Sequence, residues 1–391
     1  MHVICDRSCS ELSKELRTAL PVKIANFELQ AASAVPPCLF VWGDQLPRAV
    51  VLGGGGFIGS TITRHLLTAG WDVTVAGWGA PAMTQELASM GAEVHSYPRE
   101  DAAQLRRSVG SGADAFIDVI AYRAEDIGQL DCLRGLVGSL IVISSGAVYR
   151  GVSGKPYFGN YDTADWFAPL TIDEAHPILP PDDMTYGGGK VAVERAVRAL
   201  RIAPTSIVRP FAVFGPNSTA AREWYFVKRV LDRRERLVLC GDGHEKFNRC
   251  SVDNLAEIIR LCCESPGDRT VNAADHDPHD VLGIARQIAA HLEWEWEEFV
   301  RPGPPPAPMI GYTPWSTPAR VTAGMAHAEA ELGYRAIVTP ERTLEVTTTW
   351  LADYMKSNVT DWHAKLPGYF KRNGNATFCY AAEDDFISRC R

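Results

Sequence analysis

From residue 48 onward the apolar positions alternate between two periods. Ala49 to Leu52 is a short, β-branched apolar run, the mark of a buried strand. Ile58, Ile62, Leu66 and Leu67 then follow at helical spacing until Gly70 ends the pattern. The rhythm repeats with strands predicted over 71–76, 93–97, 115–121 and 140–144, and helices over 101–109 and 124–137. Strands alternating with helices in this way predict an α/β fold, a doubly wound parallel sheet covered on both faces. Past Pro216 the pattern continues with helices over 223–231, 254–263 and 281–292 and strands over 237–239 and 270–273.

Composition narrows the class. The chain has 391 residues, 46% hydrophobic and 22% charged, which excludes collagen-like, disordered and coiled-coil readings. No apolar run reaches the roughly 18 residues of a membrane-spanning helix. With 39 basic against 47 acidic residues, the net charge of −8 argues against a general binder of nucleic acid or membrane surfaces. Ten scattered cysteines without a C-x-x-C pair read as reduced thiols of a cytoplasmic protein. Residues 1–47 lack a basic segment followed by an apolar stretch, and so read as an extension ahead of the fold rather than a secretory signal.

The first chemistry-bearing motif joins the first strand to the first helix. Gly53, Gly56 and Gly59 fall three apart within Leu52-Gly-Gly-Gly-Gly-Phe-Ile-Gly59. Strand, glycine turn and helix cradle a pyrophosphate: backbone approaches the phosphates, and the helix N-terminus offers free N–H groups and a positive dipole end. The ribose position, at the end of the next strand, carries Gly77-Trp78-Gly79. An acidic residue there favours NAD and a nearby Arg favours NADP. Neither is present, so NAD and NADP both stay open.

A second constellation follows. Ser144 and Ser145 end a buried strand, where open α/β sheets keep their ligands. Tyr186 and Lys190 lie four apart on one face of a predicted helix. A phenol of pKa about 10 is a poor base at neutral pH, and a neighbouring ammonium favours its ionised form. Ser145 is suited to hydrogen-bond the reacting oxygen.

With these residues in place the chain resembles an extended short-chain dehydrogenase/reductase of the NAD-dependent epimerase/dehydratase type. The motifs are Gly-x-x-Gly-x-x-Gly at 53–59, Ser-Ser-x-x-Val-Tyr at 144–149, Tyr-x-x-x-Lys at 186–190, Arg209-Pro-Phe-Ala-Val-Phe-Gly-Pro216 and Ser251-Val-Asp-Asn-Leu-Ala256. The resemblance implies a Rossmann-type domain over 48–215, a smaller, interleaved, mainly substrate-binding part over 216–355 and a tail over 356–391. It implies that Ser145, Tyr186 and Lys190 are catalytic, with Lys190 also on the nicotinamide ribose. It places Gly53, Gly56, Phe57, Ile58, Gly59, Gly77, Trp78, Ala121 and Pro210 around the cofactor and Ser145 against a small-molecule substrate, for which the sequence itself offers Arg209, Arg222 and Trp224 as further contacts. A homodimer follows from the same resemblance.

The departures from the family narrow the chemistry further. Gly146 and Ala147 stand where the dehydratases carry an Asp-Glu pair, so proton transfer for water elimination is disfavoured. Phe247 stands where many sugar-nucleotide enzymes place an Arg for the substrate diphosphate; Lys246, Arg249, Arg222 and Arg229 are the candidate substitutes. Pro98 replaces an adenine-side Asp. Three consecutive glycines, 187–189, separate Tyr186 from Lys190, at a cost of about 1 kcal/mol each against Ala inside a helix.

The expected activity is hydride transfer at a secondary alcohol or ketone. The alternative is an epimerase that keeps its NAD, and a rival class is a non-catalytic dinucleotide-sensing or RNA-binding relative. Such relatives tend to lose the Tyr or the Lys. Tyr157, Phe158, Tyr161, Trp166 and Phe167 suit either a lid over the substrate or an aromatic cluster packing an insertion. Asp275-His-Asp-Pro-His-Asp280 reads as a turn and helix cap rather than a metal loop, so no metal is expected.

Overall fold

Along Ala49–Leu52 the side chains alternate between two cores, Ala49 and Val51 on one face and Val50 and Leu52 on the other, because successive strand residues point oppositely. This strand lies within a seven-stranded sheet in a computed structural model that describes residues 46–151, 153–157, 170–241, 243–276, 279–303, 310–316, 321–356, 361–374 and 376–390. The strands are Arg48–Leu52, Asp72–Ala76, Glu93–His95, Ala113–Asp118, Val137–Ile143, Thr205–Pro210 and Arg269–Ala273. Across the sheet they run 269–273, 205–210, 137–143, 113–118, 48–52, 72–76, 93–95. Every neighbouring pair is parallel. The order reverses between 48–52 and 113–118, and that switch point opens a crevice at the strands' C-terminal ends. This is the predicted Rossmann-type fold.

One face is covered by the glycine-loop helix, Phe57–Thr68, and by Val252–Glu264, whose Leu255, Ile258 and Ile259 pack with Ile62 and Leu66. The other face carries the tyrosine helix, Tyr186–Leu200, through Val193 and Val197. Residues 252–273 thus return to the large sheet, so the part beyond 216 interleaves with the part before it. The helix expected over 124–137 is shorter: Ala124–Gly128 is α-helical, Gln129–Leu133 is a 3-10 turn, and Val137 already belongs to the next strand. Gly135, at φ +74°, breaks the path.

A further core gathers Phe214, Trp224, Phe226, Leu237, Ile284, Trp315, Leu344 and Leu351. Trp362, Leu366 and Tyr369 belong to it as well, so residues expected as a separate tail help to build this core. Residues 44–391 form one compact unit. Among the described residues no helix is long and apolar enough to cross a membrane.

Candidate active site

Ser144 and Ser145 leave the strand Val137–Ile143 in opposite roles. Ser144 is buried, and its hydroxyl donates to Glu194 Oε1 at 2.5 Å. Ser145 is half-buried; its Oγ accepts the Ala147 N–H at 3.1 Å, capping the short turn Gly146–Val148, and is hydrogen-bonded with Tyr186. Tyr186 opens the tyrosine helix, whose N-cap Thr185 accepts the Gly188 N–H at 3.3 Å. At 56% exposure Tyr186 leaves the site open to solvent on that side.

Lys190 lies one turn further on and is buried. Its ammonium donates to Ala121 O at 2.7 Å and Ile143 O at 2.9 Å, and stands 5.8 Å from the Tyr186 ring centroid. Two of three donors are thereby used, leaving one for a ligand. Burial pulls the Lys190 pKa down to about 8. The phenol differs from expectation. Although the side chain is partly open to solvent, desolvation by the residues around it holds the Tyr186 pKa up, opposed chiefly by the Ser145 hydrogen bond.

Two of the three glycines after Tyr186 have a steric reason. A Cβ on Gly187 would lie 2.1 Å from Ala147 O, and one on Gly188 would lie 2.2 Å from Asp183 O. The helix's first turn therefore presses directly on the backbone of the Ser145 turn.

The glycine loop fits a dinucleotide. A Cβ on Gly59 would lie 2.2 Å from Gly53 O, so turn and helix meet backbone to backbone. Gly56 caps the helix without a side-chain bond, which leaves the first-turn N–H groups of Phe57, Ile58 and Gly59 to an incoming phosphate. At the ribose position Gly77 has φ +90°, and Trp78 is exposed. Arg99, beside Pro98, makes a bidentate pair with the fully buried Asp118 at 2.8 and 2.7 Å, so it is not free to hold a 2′-phosphate. Pro210 ends its strand, buried.

Two expected substrate contacts are placed elsewhere. Arg209 makes a buried bidentate pair with Glu194 at 2.9 and 2.7 Å and donates to Tyr149 OH at 3.1 Å; its polar edge is consumed inside the fold. Trp224 is wholly buried in the smaller core against Trp362. Arg222 is half-buried, its guanidinium 5.5 Å from the Phe247 ring centroid, beside the very residue that replaces the family's Arg. Of the other substitutes, Arg229 is buried and paired with Glu383, and Arg249 is buried against Phe214.

Tyr157 is buried against His176, a packing role, whereas Phe158, Tyr161, Trp166 and Phe167 lie outside the described residues. Asp275 accepts hydrogen bonds from Ser251 and Asn254, and Asp280 caps the helix Val281–His291 through the Gly283 N–H. Glu194 and Asp118 went unnoticed in the sequence. Glu194 sits at i+8 from Tyr186 on the same helix, a signal that was present.

This geometry agrees with the comparisons. The family model for the NAD dependent epimerase/dehydratase family matches residues 49–274. The chain belongs to that family. Membership makes it an enzyme whose chemistry depends on a nicotinamide cofactor. It is similar to the human sterol-4-alpha-carboxylate 3-dehydrogenase, decarboxylating, at 23% identity over 345 residues, covering 78% of this chain and 88% of the relative. Among solved structures it resembles UDP-glucuronic acid 4-epimerase from Bacillus cereus in complex with NAD, with TM-score 0.59, 16% identity and coverage of 78% of this chain and 99% of that one. A UDP-N-acetylglucosamine 4-epimerase from Methanobrevibacter ruminantium gives TM-score 0.62, 19% identity and coverage of 80% and 100%. At these identities the solved structures establish the family's fold.

Proposed function

We propose that this family member is an NAD(P)-dependent oxidoreductase acting at a secondary alcohol or ketone of a small molecule. The observation that carries the reading is the juxtaposition of Ser145, Tyr186 and Lys190 at the strand ends beside an uncapped, glycine-lined helix N-terminus. When bound, the nicotinamide supplies the hydride acceptor or donor. Ser145 orients the reacting oxygen by a hydrogen bond, and Tyr186 takes or returns the hydroxyl proton. Lys190, anchored on Ala121 and Ile143, offers its remaining N–H to the cofactor ribose. Gly146 and Ala147 bring no proton-carrying group, which argues against dehydration. The reading includes a cytoplasmic setting and a homodimer.

Calorimetric titration with NAD⁺ and NADP⁺, together with mass spectrometry of small molecules released from the pure protein, names the cofactor and any co-purifying substrate. Tyr186→Phe is expected to lower turnover by roughly 10²–10⁴-fold, the range for loss of a general acid–base group, with cofactor affinity unchanged. Full turnover in Tyr186→Phe, or binding of neither cofactor, overturns the reading. Turnover with no change in bulk nicotinamide absorbance favours the epimerase alternative, in which the cofactor is retained.

A further inference from the structure

Lys190 is a buried cation without a dedicated counter-ion. Among the described residues no carboxylate lies within ion-pair distance of its ammonium, which rests on two backbone carbonyls. The charged groups around it are Asp118, Arg99, Asp126 and Glu194, and each carboxylate of that set is already held by an arginine. Arg99 binds Asp118 bidentately and reaches Asp126 at 3.7 Å, while Arg209 binds Glu194. Two aromatic rings stand beside the ammonium instead. The Tyr122 ring centroid is 4.9 Å from Lys190 Nζ, nearer than that of Tyr186 at 5.8 Å. Tyr122 is exposed and follows directly on Ala121, whose carbonyl takes one Lys190 N–H. Its backbone is fixed: its N–H donates to Asp126 Oδ2 at 2.7 Å, and Arg99 donates to Asp126 O at 2.7 Å. A Cβ on Gly189 would lie 3.2 Å from Tyr122 O, so the tyrosine helix also approaches this turn closely.

Burying an ammonium without an opposite charge is costly, which is why Lys190 is drawn down to about 8. An aromatic face within about 6 Å of a cation attracts it through the ring quadrupole, more strongly where water is excluded. Desolvation, followed by the charge of Asp118, holds the Tyr122 phenol above its ordinary range, so this ring stays neutral while Lys190 titrates. We propose that Tyr122 is a positioning residue for Lys190: the face of its ring stands in for a counter-ion and keeps the ammonium directed at the cofactor ribose. On this assignment Arg99, Asp118 and Asp126 serve the site by fixing the turn that carries both Ala121 O and the Tyr122 ring. Asp118 adds the Ile120 N–H to that turn at 3.0 Å. The inference rests on the oxidoreductase reading for the group that Lys190 holds.

The full chain is titrated in a calorimeter with NAD⁺ or NADP⁺, whichever binds, over a pH series that spans the Lys190 titration. A neutral amine is a weaker donor than an ammonium, so wild-type affinity should fall as the pH rises through about 8. Tyr122→Leu removes an interaction made only with the charged form and should move this fall down by about half a pH unit. Tyr122→Phe keeps the ring face and should keep the wild-type curve. An unmoved curve in Tyr122→Leu, a shift to higher pH, or a Tyr122→Phe curve matching that of Tyr122→Leu overturns the proposal. Unfolding by denaturant gives a second measure that needs no cofactor. The midpoint change caused by Tyr122→Leu should shrink in a Lys190→Met background, whereas equal changes in both backgrounds would rule out the pairing. Should neither cofactor bind, or Lys190→Met bind it with wild-type affinity throughout the series, the oxidoreductase reading of Lys190 falls. The denaturant comparison then decides the role of Tyr122 by itself. Tyr122 is exposed, so its substitutions leave the buried core as it is.

Discussion

At position 187 a methyl group would lie 2.1 Å from Ala147 O, in a place that real Cβ atoms do not occupy. The Tyr186 helix and the Ser145 turn meet at the distance they do because residue 187 has no side chain. Gly187→Ala must push them apart, and overpacking of this kind costs about 1–3 kcal/mol. The expected outcome is a lower melting temperature together with a fall in turnover larger than the loss of folded protein explains. A Gly187→Ala enzyme with wild-type turnover would show that the close approach does not position the pair. At this scale the sequence was informative about identity and poor about tuning. Tyr186 and Lys190 were legible because helix geometry makes i and i+4 neighbours wherever the helix lies. The influences on the phenol were not, since the packing that desolvates it and the hydrogen bond with Ser145 arise only in the tertiary structure.

Between elements, the buried chain of bonds from Ser144 to Glu194, Arg209, Tyr149 and Asn272 ties the strand Val137–Ile143, the tyrosine helix and the strands Thr205–Pro210 and Arg269–Ala273 together. Tyr186 and Ser145, the proposed catalytic pair, stand on and just beyond the two elements that Glu194 joins. Glu194→Ala leaves the Arg209 guanidinium buried without its partner, and such a break costs about 3–5 kcal/mol. Denaturant unfolding should show that loss. The double variant Glu194→Ala/Arg209→Met should lose less than the two single losses added, because no uncompensated charge remains. Simple additivity would mean that the two residues do not act as a pair. The motif containing Arg209 was plain in the sequence, yet its purpose was misread as substrate contact. Its partner is on another element, and the motif gives no sign of which way the guanidinium turns. The predicted helix over 124–137 failed for a related reason: its apolar spacing continues through Gly135 into residues that the sheet claims as strand.

On the scale of the whole molecule, the C-terminal residues help to build the core that holds Trp224. Trp362 is buried among Trp224, Tyr369 and Phe378, and Leu366 beside it is fully buried. Trp362→Ala removes a large core side chain, a change that costs about 3–5 kcal/mol. Calorimetric melting checks the loss, and an unchanged melting temperature in Trp362→Ala would show that the C-terminal segment does not contribute to this core.

By itself the sequence determined the alternation of strand and helix, the glycine cradle, and the residues Ser145, Tyr186 and Lys190. Each of these is a local pattern, set by the repeat of the strand, the pitch of the helix or the steric demand of a turn. Tertiary structure decided that Arg209 is spent inside the fold. It also decided that Trp224 is core and that residues beyond 356 help to build that core. Those outcomes depend on contacts between segments far apart in the chain, such as Tyr369 with Thr219, and spacing along the sequence carries no record of them. The apolar rhythm that begins at Ala49 thus specifies the scaffold, while the packing of the chain's far end against Thr219 and Ala220 is decided only in three dimensions.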